Sequence, residues 1–456
     1  MTNTESIIER FKNNYLNIDC KKMVLKKRRK NNEYFSGKGY ICQEKNGCLT
    51  FKIYVTESNI KPLSNIDELS GGVSGKLLQS DDLYDLEAVD VEGIQWSIKE
   101  VFPLPSWDIT DPTDITVIVT GGIHAMTGRL NIHCDSPYLR LHFFGEYKVP
   151  LNRMSAIESR GNKQYVRDHA EFEACGAQFE INQIPNSGET IIKIMSPTEL
   201  PESFDLRVQE SFQYITAKPA FWQAMVESRQ NELYLCLTPN RKKSLSTRFN
   251  PPIHPAYSEF QEYGWALFSL YLSYVTKNTA GTYWNPVAYH LYNACEATST
   301  SLDSSAVGLS VAVEAVSNLV VLDEQNKNQE LADFQHRIRA WLKQQTDVSE
   351  NIAKRVTGTI NGMTNKRPQD TLFSLAAAGK VQKEYIKSWT KIRNKHVHPK
   401  PKDLNIPTQA DTQNLLDEIN KIQVLLWQIT FFIIGYDGYF TDYGTHSFPS
   451  IKYPLS

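Results

Sequence analysis

The chain lacks a charge excess, a disulfide framework and a long apolar run, and each absence removes a class of function. Its 456 residues carry 49 Lys and Arg against 51 Asp and Glu, a net charge of −2. A surface coated in positive charge for nucleic acid is excluded, so any contact with RNA must be local. Seven cysteines, an odd number without metal-site spacing, point to a reducing cytoplasm. Met1 to Arg10 is polar and charged and shows no secretory leader. The most apolar stretch, Ile422 to Ile434, has 13 residues and contains Gln423 and Gln428. A membrane span needs about 20, so this stretch reads as a buried helix and no membrane partner is expected. Ser70-Gly71-Gly72-Val73-Ser74-Gly75 is glycine-rich but lacks the Lys-Ser/Thr of a phosphate-binding loop, which leaves a flexible loop.

What is present divides in two. Residues 5–18 carry a helical pattern through Ile7, Ile8, Phe11, Tyr15 and Leu16. The basic run Lys21, Lys22, Lys26, Lys27, Arg28, Arg29 and Lys30 follows; it could grip phosphates, but reads first as a solvated, mobile segment. From residue 34 the period becomes that of strands. Gly39–Cys42 and Leu49–Val55 flank Asn46-Gly47, a two-residue hairpin signal. Further strands are expected around 94–98, 115–120, 130–134, 139–144, 177–181, 191–195 and 233–237. A turn is expected at Asn186-Ser187-Gly188, and short helices at 151–170 and 217–231. His124, His133 and His142 are evenly spaced, but even spacing along strands does not bring side chains together, so no metal site is expected. The prolines from Pro239 to Pro255 break the pattern. Beyond them helices are expected near 256–277, 286–299, 304–322, 327–346, 349–362, 370–378, 381–397 and 409–435. The expected fold class is α+β and multidomain: a β-rich, sandwich- or barrel-like region over 1–245, a Pro-rich linker at 246–255, and an all-α domain over 256–456.

One stretch carries chemistry: Ile392-Arg393-Asn394-Lys395-His396-Val397-His398, followed by Pro399. Arg393 is permanently cationic, with a planar fork of donors that fits a phosphate. His398 is of the type that trades a proton near neutral pH. Together they could cut a phosphodiester without a metal or other cofactor, one moving the proton and the other holding charge on phosphorus. His396, three residues after Arg393, lies on nearly the same helix face and is a second candidate for the acid/base. Asn394 could orient His398 or bind a phosphate oxygen. Lys395, Lys400 and Lys402, with Arg241, Lys242 and Lys243 before the boundary, could hold an RNA backbone. Glu314 sits in an otherwise apolar helix, where a buried carboxylate needs a partner; the expected one is Arg393. Residues five apart on an ideal α-helix are rotated by about 140°, so Arg393 and His398 can meet only if the last turn opens. The competing reading is a solvated helix end whose cations complement the helix dipole. Arg248 and His254 show a looser spacing of the same kind, but Pro251 and Pro252 exclude a helix between them.

An Arg-x4-His spacing with Asn after the Arg, on a helix of an all-α region, resembles the HEPN ribonucleases (higher eukaryotes and prokaryotes nucleotide-binding). Gly435-Tyr436-Asp437-Gly438-Tyr439-Phe440-Thr441-Asp442-Tyr443 looks like the tail of the ApeA-type subgroup of anti-phage proteins. The resemblance covers roughly the last 200 residues well and the first 240 loosely. It implies an endoribonuclease acting in abortive infection, with RNA, tRNA included, as substrate. It also implies a homodimer or higher homo-oligomer, and a phage-derived trigger sensed by the N-terminal region. Lys400 stands where the nucleotidyltransferase-paired HEPN toxins carry an acceptor tyrosine, which counts against that type. A non-catalytic HEPN module that binds RNA or nucleotides, or that scaffolds a complex, is the alternative, and a carbohydrate- or peptide-binding β domain is a further one.

Overall fold

Alternation at period two becomes, in the computed structural model, a fifteen-stranded sheet whose pairings are all antiparallel. The structure describes residues 3–28, 33–60, 77–111, 114–133, 136–159, 162–184, 188–229, 232–239, 247–321, 327–345, 347–362, 367–397 and 408–455. The chain forms two compact units. One comprises Met1–Tyr147, Leu151–Asp205 and Ala220–Ser244; the other comprises Lys148–Pro150, Leu206–Pro219 and Leu245–Ser456. The chain thus passes between units more than once, where the sequence suggests a single linker at 246–255.

The first unit holds the sheet. Its strands are β1 (Asn17–Lys27), β2 (Tyr34–Gln43), β3 (Leu49–Ser58), β4 (Tyr84–Asp90), β5 (Gln95–Val101), β6 (Leu104–Asp111), β7 (Asp114–Ile123) and β8 (Met126–His133). They continue with β9 (Tyr138–Phe144), β10 (Arg153–Ser159), β11 (Asn162–Ala174), β12 (Ala177–Ile184), β13 (Glu189–Met195), β14 (Ala224–Arg229) and β15 (Glu232–Leu237). The order is β10-β11-β12-β13-β9-β14-β15-β8-β5-β4-β1-β2-β3-β7-β6, so the expected sandwich or barrel is one ladder with edges at β10 and β6. Within it β7 touches β5, which curls these strands round one core. Trp96, Met23, Leu25, Ile53 and Leu86 fill that core with Ile7, Ile8 and Phe11 of the N-terminal helix α1 (Asn3–Lys12).

Several local expectations are corrected. The basic run is strand, not a mobile segment, as far as the described residues go. A bulge between Cys20 and Met23 lets Lys21 and Lys22 both face out while Cys20, Met23 and Leu25 face in. Lys27 pairs with Glu33 at 2.8 Å, and Arg28 pairs with Glu100. The hairpin at Asn46-Gly47 uses the five residues 44–48, closed by Glu44 N–H to Cys48 O at 2.8 Å, with Gly47 at φ +87°. The described residues of 151–170 carry no helix: Arg153–Ser159 and Asn162–Ala174 are a hairpin. Residues 217–231 contain strand β14, and a helix lies just before them, α2 (Phe204–Thr216). The turn at Asn186-Ser187 and the loop at 70–75 lie outside the described residues. Of the three histidines, His142 is buried with Nδ1 2.7 Å from Glu189 Oε1, which also takes Lys12 Nζ at 2.6 Å on Oε2. His124 is exposed, and the side chain of His133 lies outside the described set.

The second unit is helical: α3 (Ser258–Lys277), α4 (Pro286–Ala297), α5 (Leu302–Asn318), α6 (Lys327–Gln344), α7 (Glu350–Gly362), α8 (Pro368–Ala377), α9 (Lys383–Ile392) and α10 (Gln409–Ile434). The starts follow local chemistry. Asn285 caps α4 ahead of Pro286, Ser301 caps α5, and Thr408 with Asp411 closes a capping box on α10. Gly435, at φ +69°, ends α10 in the left-handed conformation that glycine tolerates. The apolar run of α10 is buried, and its two glutamines are spent on backbone. Gln423 Nε2 donates to Asn250 O at 2.6 Å, and Gln428 Oε1 accepts from Gln382 N at 3.0 Å. Among the described residues no helix is long and apolar enough to cross a membrane. Within α2, Arg207 and Glu210 are buried together at 3.2 Å. Burial outweighs the guanidinium and pushes the Glu210 carboxyl up to about 7. The tail forms a hairpin, β16 (Gly438–Thr441) with β17 (Ser450–Tyr453), and buries Asp442.

Candidate functional site

The site begins with the stripe that buries α9. Tyr385, Ile386, Ser388, Trp389 and Ile392 recur at helical spacing and face the core of this unit. Trp389 fixes the orientation by donating its indole N–H to Ser310 O of α5 at 3.0 Å. Arg393 follows one turn later, above Trp389, with its guanidinium carbon 5.8 Å from the ring centre. One turn after Ser310 on the facing helix stands Glu314. Arg393 donates Nε to Glu314 Oε2 at 2.7 Å and Nη2 to Glu314 Oε1 at 3.3 Å. The two helices therefore hold the arginine through a repeat of four residues on each side: Ser310 with Trp389, then Glu314 with Arg393. The pair is one-third exposed, 32% for Arg393 and 36% for Glu314. A guanidinium has five N–H donors, and among the described residues this fork engages two of them.

The backbone changes where Arg393 begins. The α-helix stops at Ile392, and Arg393–Val397 is a π turn. Such turns hydrogen-bond i to i+5, are rare, and recur at functional sites. Asn394 and Lys395 lie exposed on this turn. His396 turns inward, its side chain 11% exposed, with Nδ1 3.2 Å from Asp303 Oδ1 in the first turn of α5. A carboxylate on Nδ1 fixes the ring and biases the tautomer.

The structure thus brings together Arg393, Glu314 and, on the same turn, Asn394, Lys395 and His396. His398, Lys400, Lys402, Arg241, Lys242 and Lys243 lie outside the described residues. Sequence reasoning missed Trp389, Ser310 and Asp303 as members of the site. Asp303 reads as a helix-start residue, and only the fold shows that the same position faces His396. Trp389, four before Arg393, was legible as a same-face neighbour. Among the described residues no group of three or more His, Cys, Asp or Glu side chains is arranged to hold a metal ion. No family model, no curated protein and no solved structure matches the chain.

Proposed function

We propose that this chain is an endoribonuclease of the HEPN class, of the ApeA-type anti-phage kind, cutting RNA without a metal. The observation that carries the reading is Arg393: a guanidinium gripped on one edge by Glu314 and still one-third exposed, at the first residue of a π turn. An i to i+5 turn stacks positions five apart, where an α-helix would separate them by about 140°. That backbone supports a partnership between Arg393 and the histidine five residues on, His398.

In the proposed reaction an imidazole takes the proton of an RNA 2′-hydroxyl as its oxygen attacks the adjacent phosphorus. The bond from phosphorus to O5′ breaks, and a second imidazole gives O5′ its proton. Arg393 holds the charge that builds on the phosphoryl oxygens. The products are a 2′,3′-cyclic phosphate and a 5′-hydroxyl. One histidine per chain, doubled by a two-fold axis, supplies both proton transfers. The β-rich unit is the proposed sensor, restraining cleavage until a phage-derived trigger binds. Asn394 and Lys395, exposed on the turn, are proposed to touch the RNA backbone, as are Lys400, Lys402, Arg241, Lys242 and Lys243.

The contact of His396 with Asp303 favours a second assignment of the acid/base, because a carboxylate-oriented imidazole three residues from Arg393 is already in place. Purified wild type, His398→Ala, His396→Ala and Arg393→Ala, incubated with total RNA and followed by end mapping, separate these readings. The expected result is cyclic-phosphate ends that persist in chelator and vanish in His398→Ala and Arg393→Ala. Loss in His396→Ala alone moves the acid/base to His396. Full biological effect in Arg393→Ala would leave a non-catalytic RNA-binding or scaffold module.

A further inference from the structure

Helices α6 and α7 pack on each other and bury little. Among the described side chains of α6 only Gln335 and Leu342 are buried, Gln335 donating Nε2 to Ile360 O of α7 at 2.6 Å. Large apolar groups that would normally turn inward remain outside: Phe334 is 42% exposed and Trp341 54%. These two are seven apart and Arg337 lies between them, so the three share one helix face, spread over about 10 Å of axis. Arg337 makes no ion pair among the described residues, and Arg355 and Lys343 are also exposed. The charge is local. Residues 327–367 hold eight Lys and Arg against four Asp and Glu, in a chain that is otherwise acidic.

We propose that this helical pair is an RNA-gripping arm, whose ligand is single-stranded RNA laid along the Phe334–Arg337–Trp341 face. A basic surplus with an exposed guanidinium between two exposed rings fits a ligand that is both anionic and flat-ringed. Bases stack on Phe334 and Trp341, and Arg337 meets a phosphate. The proposal deepens the ribonuclease reading, since it rests on RNA being the substrate, and it puts the grip on helices other than those that carry Arg393 and Glu314.

The test uses the full chain carrying His398→Ala, so that the probe survives. The probe is a fluorescein-labelled oligouridylate of about 12 nucleotides, within the range such surfaces cover, read by anisotropy between about 50 and 200 mM salt. Adding Phe334→Ala with Trp341→Ala should weaken binding about tenfold or more, and Trp341→Tyr should keep most of the affinity. Arg337→Ala should lower the dependence of log affinity on log salt by about one. All these side chains are exposed, so circular dichroism should match the parent. If the double alanine variant binds the oligonucleotide like its parent, the proposal is overturned. That holds equally if the variant changes only sedimentation, which would make the face an interface between copies. If wild type makes no cuts while the arm variants still lose affinity, the cleavage reading falls and the arm stands.

Discussion

Removing the Glu314 carboxylate tests whether it serves the reaction through Arg393. Glu314 reaches Arg393 with both oxygens, at 2.7 and 3.3 Å, yet both side chains remain about one-third exposed. An ion pair that wet contributes roughly 0–1 kcal/mol to stability. Glu314→Ala should therefore move Tm by no more than about 3 °C. Its effect on cleavage should be much larger. A guanidinium that loses the fork is no longer aimed, and a displacement of about 1 Å can cost on the order of 100-fold in rate. We expect Glu314→Ala to slow single-turnover cleavage of an end-labelled RNA by roughly 10- to 100-fold, and Arg393→Ala by roughly 100- to 1,000-fold. The double variant decides the matter. If Glu314 acts only by aiming Arg393, then Glu314→Ala with Arg393→Ala should be no slower than Arg393→Ala alone, within about twofold. Glu314→Gln, which keeps an oxygen for the Nε donor, should fall between wild type and alanine. Multiplicative losses in the double variant would refute the reasoning by giving Glu314 a role of its own. A fall in stability of several kcal/mol in Glu314→Ala would refute it too, by making the pair a structural tie.

Two further expectations concern buried carboxylates of the helical unit. Asp442 accepts from Tyr385 Oη at 2.6 Å, Thr445 Oγ1 at 2.9 Å, Gly444 N at 3.0 Å and Gln382 Nε2 at 3.3 Å. Asp442→Ala should destabilise by about 3–5 kcal/mol in a denaturant titration, and a loss under about 1 kcal/mol would show that the tail is not pinned there. Glu210 has a folded pKa raised to about 7 from 4.5. A group raised on folding adds stability below its unfolded value and loses it as pH climbs through the folded one, so the wild type should lose roughly 2–3 kcal/mol between about pH 4.5 and pH 8 through this residue. Glu210→Gln, neutral throughout, should lack that part of the slope, and identical pH profiles of the melts would contradict the assignment.

The helical half was legible because its signals are local. α3 announces itself by its apolar period, and α10 by its apolar period, a capping pair and a terminal glycine, and observed ends fall within a few residues of those expected. The failures are where tertiary context decides. Helix α2 escaped notice because Arg207, Gln209, Glu210 and Gln213 are polar and buried, which erases the amphipathic stripe. Glu210 is accommodated there by Arg207 and by the Asn285 N–H at 3.0 Å, partners no spacing rule supplies. Residues 153–174 look helical in composition, with Met154, Ala156, Glu158, Lys163 and Gln164, yet pair with each other as a hairpin that joins the sheet where His169–Ala174 pair with β12. At the site, the partnership of Glu314 with Arg393 could be proposed from a lone carboxylate on an apolar helix. Trp389 with Ser310, and His396 with Asp303, could not, since these contacts depend on how two helices cross.

A turn bonded from i to i+5 holds one more residue than the α turn it replaces, so the segment from Arg393 to Val397 is a small surplus of chain carried inside a helix. A sequence one residue shorter there would make a tidier helix, with every amide in the ordinary ladder. It would leave the direction of the chain beyond the turn nearly unchanged, because five positions on the wide turn cover about the arc that four cover in an α-helix. The helix end is therefore a place where width stands in for length: the turn lets a spacing of five do what a spacing of four does in an ordinary helix.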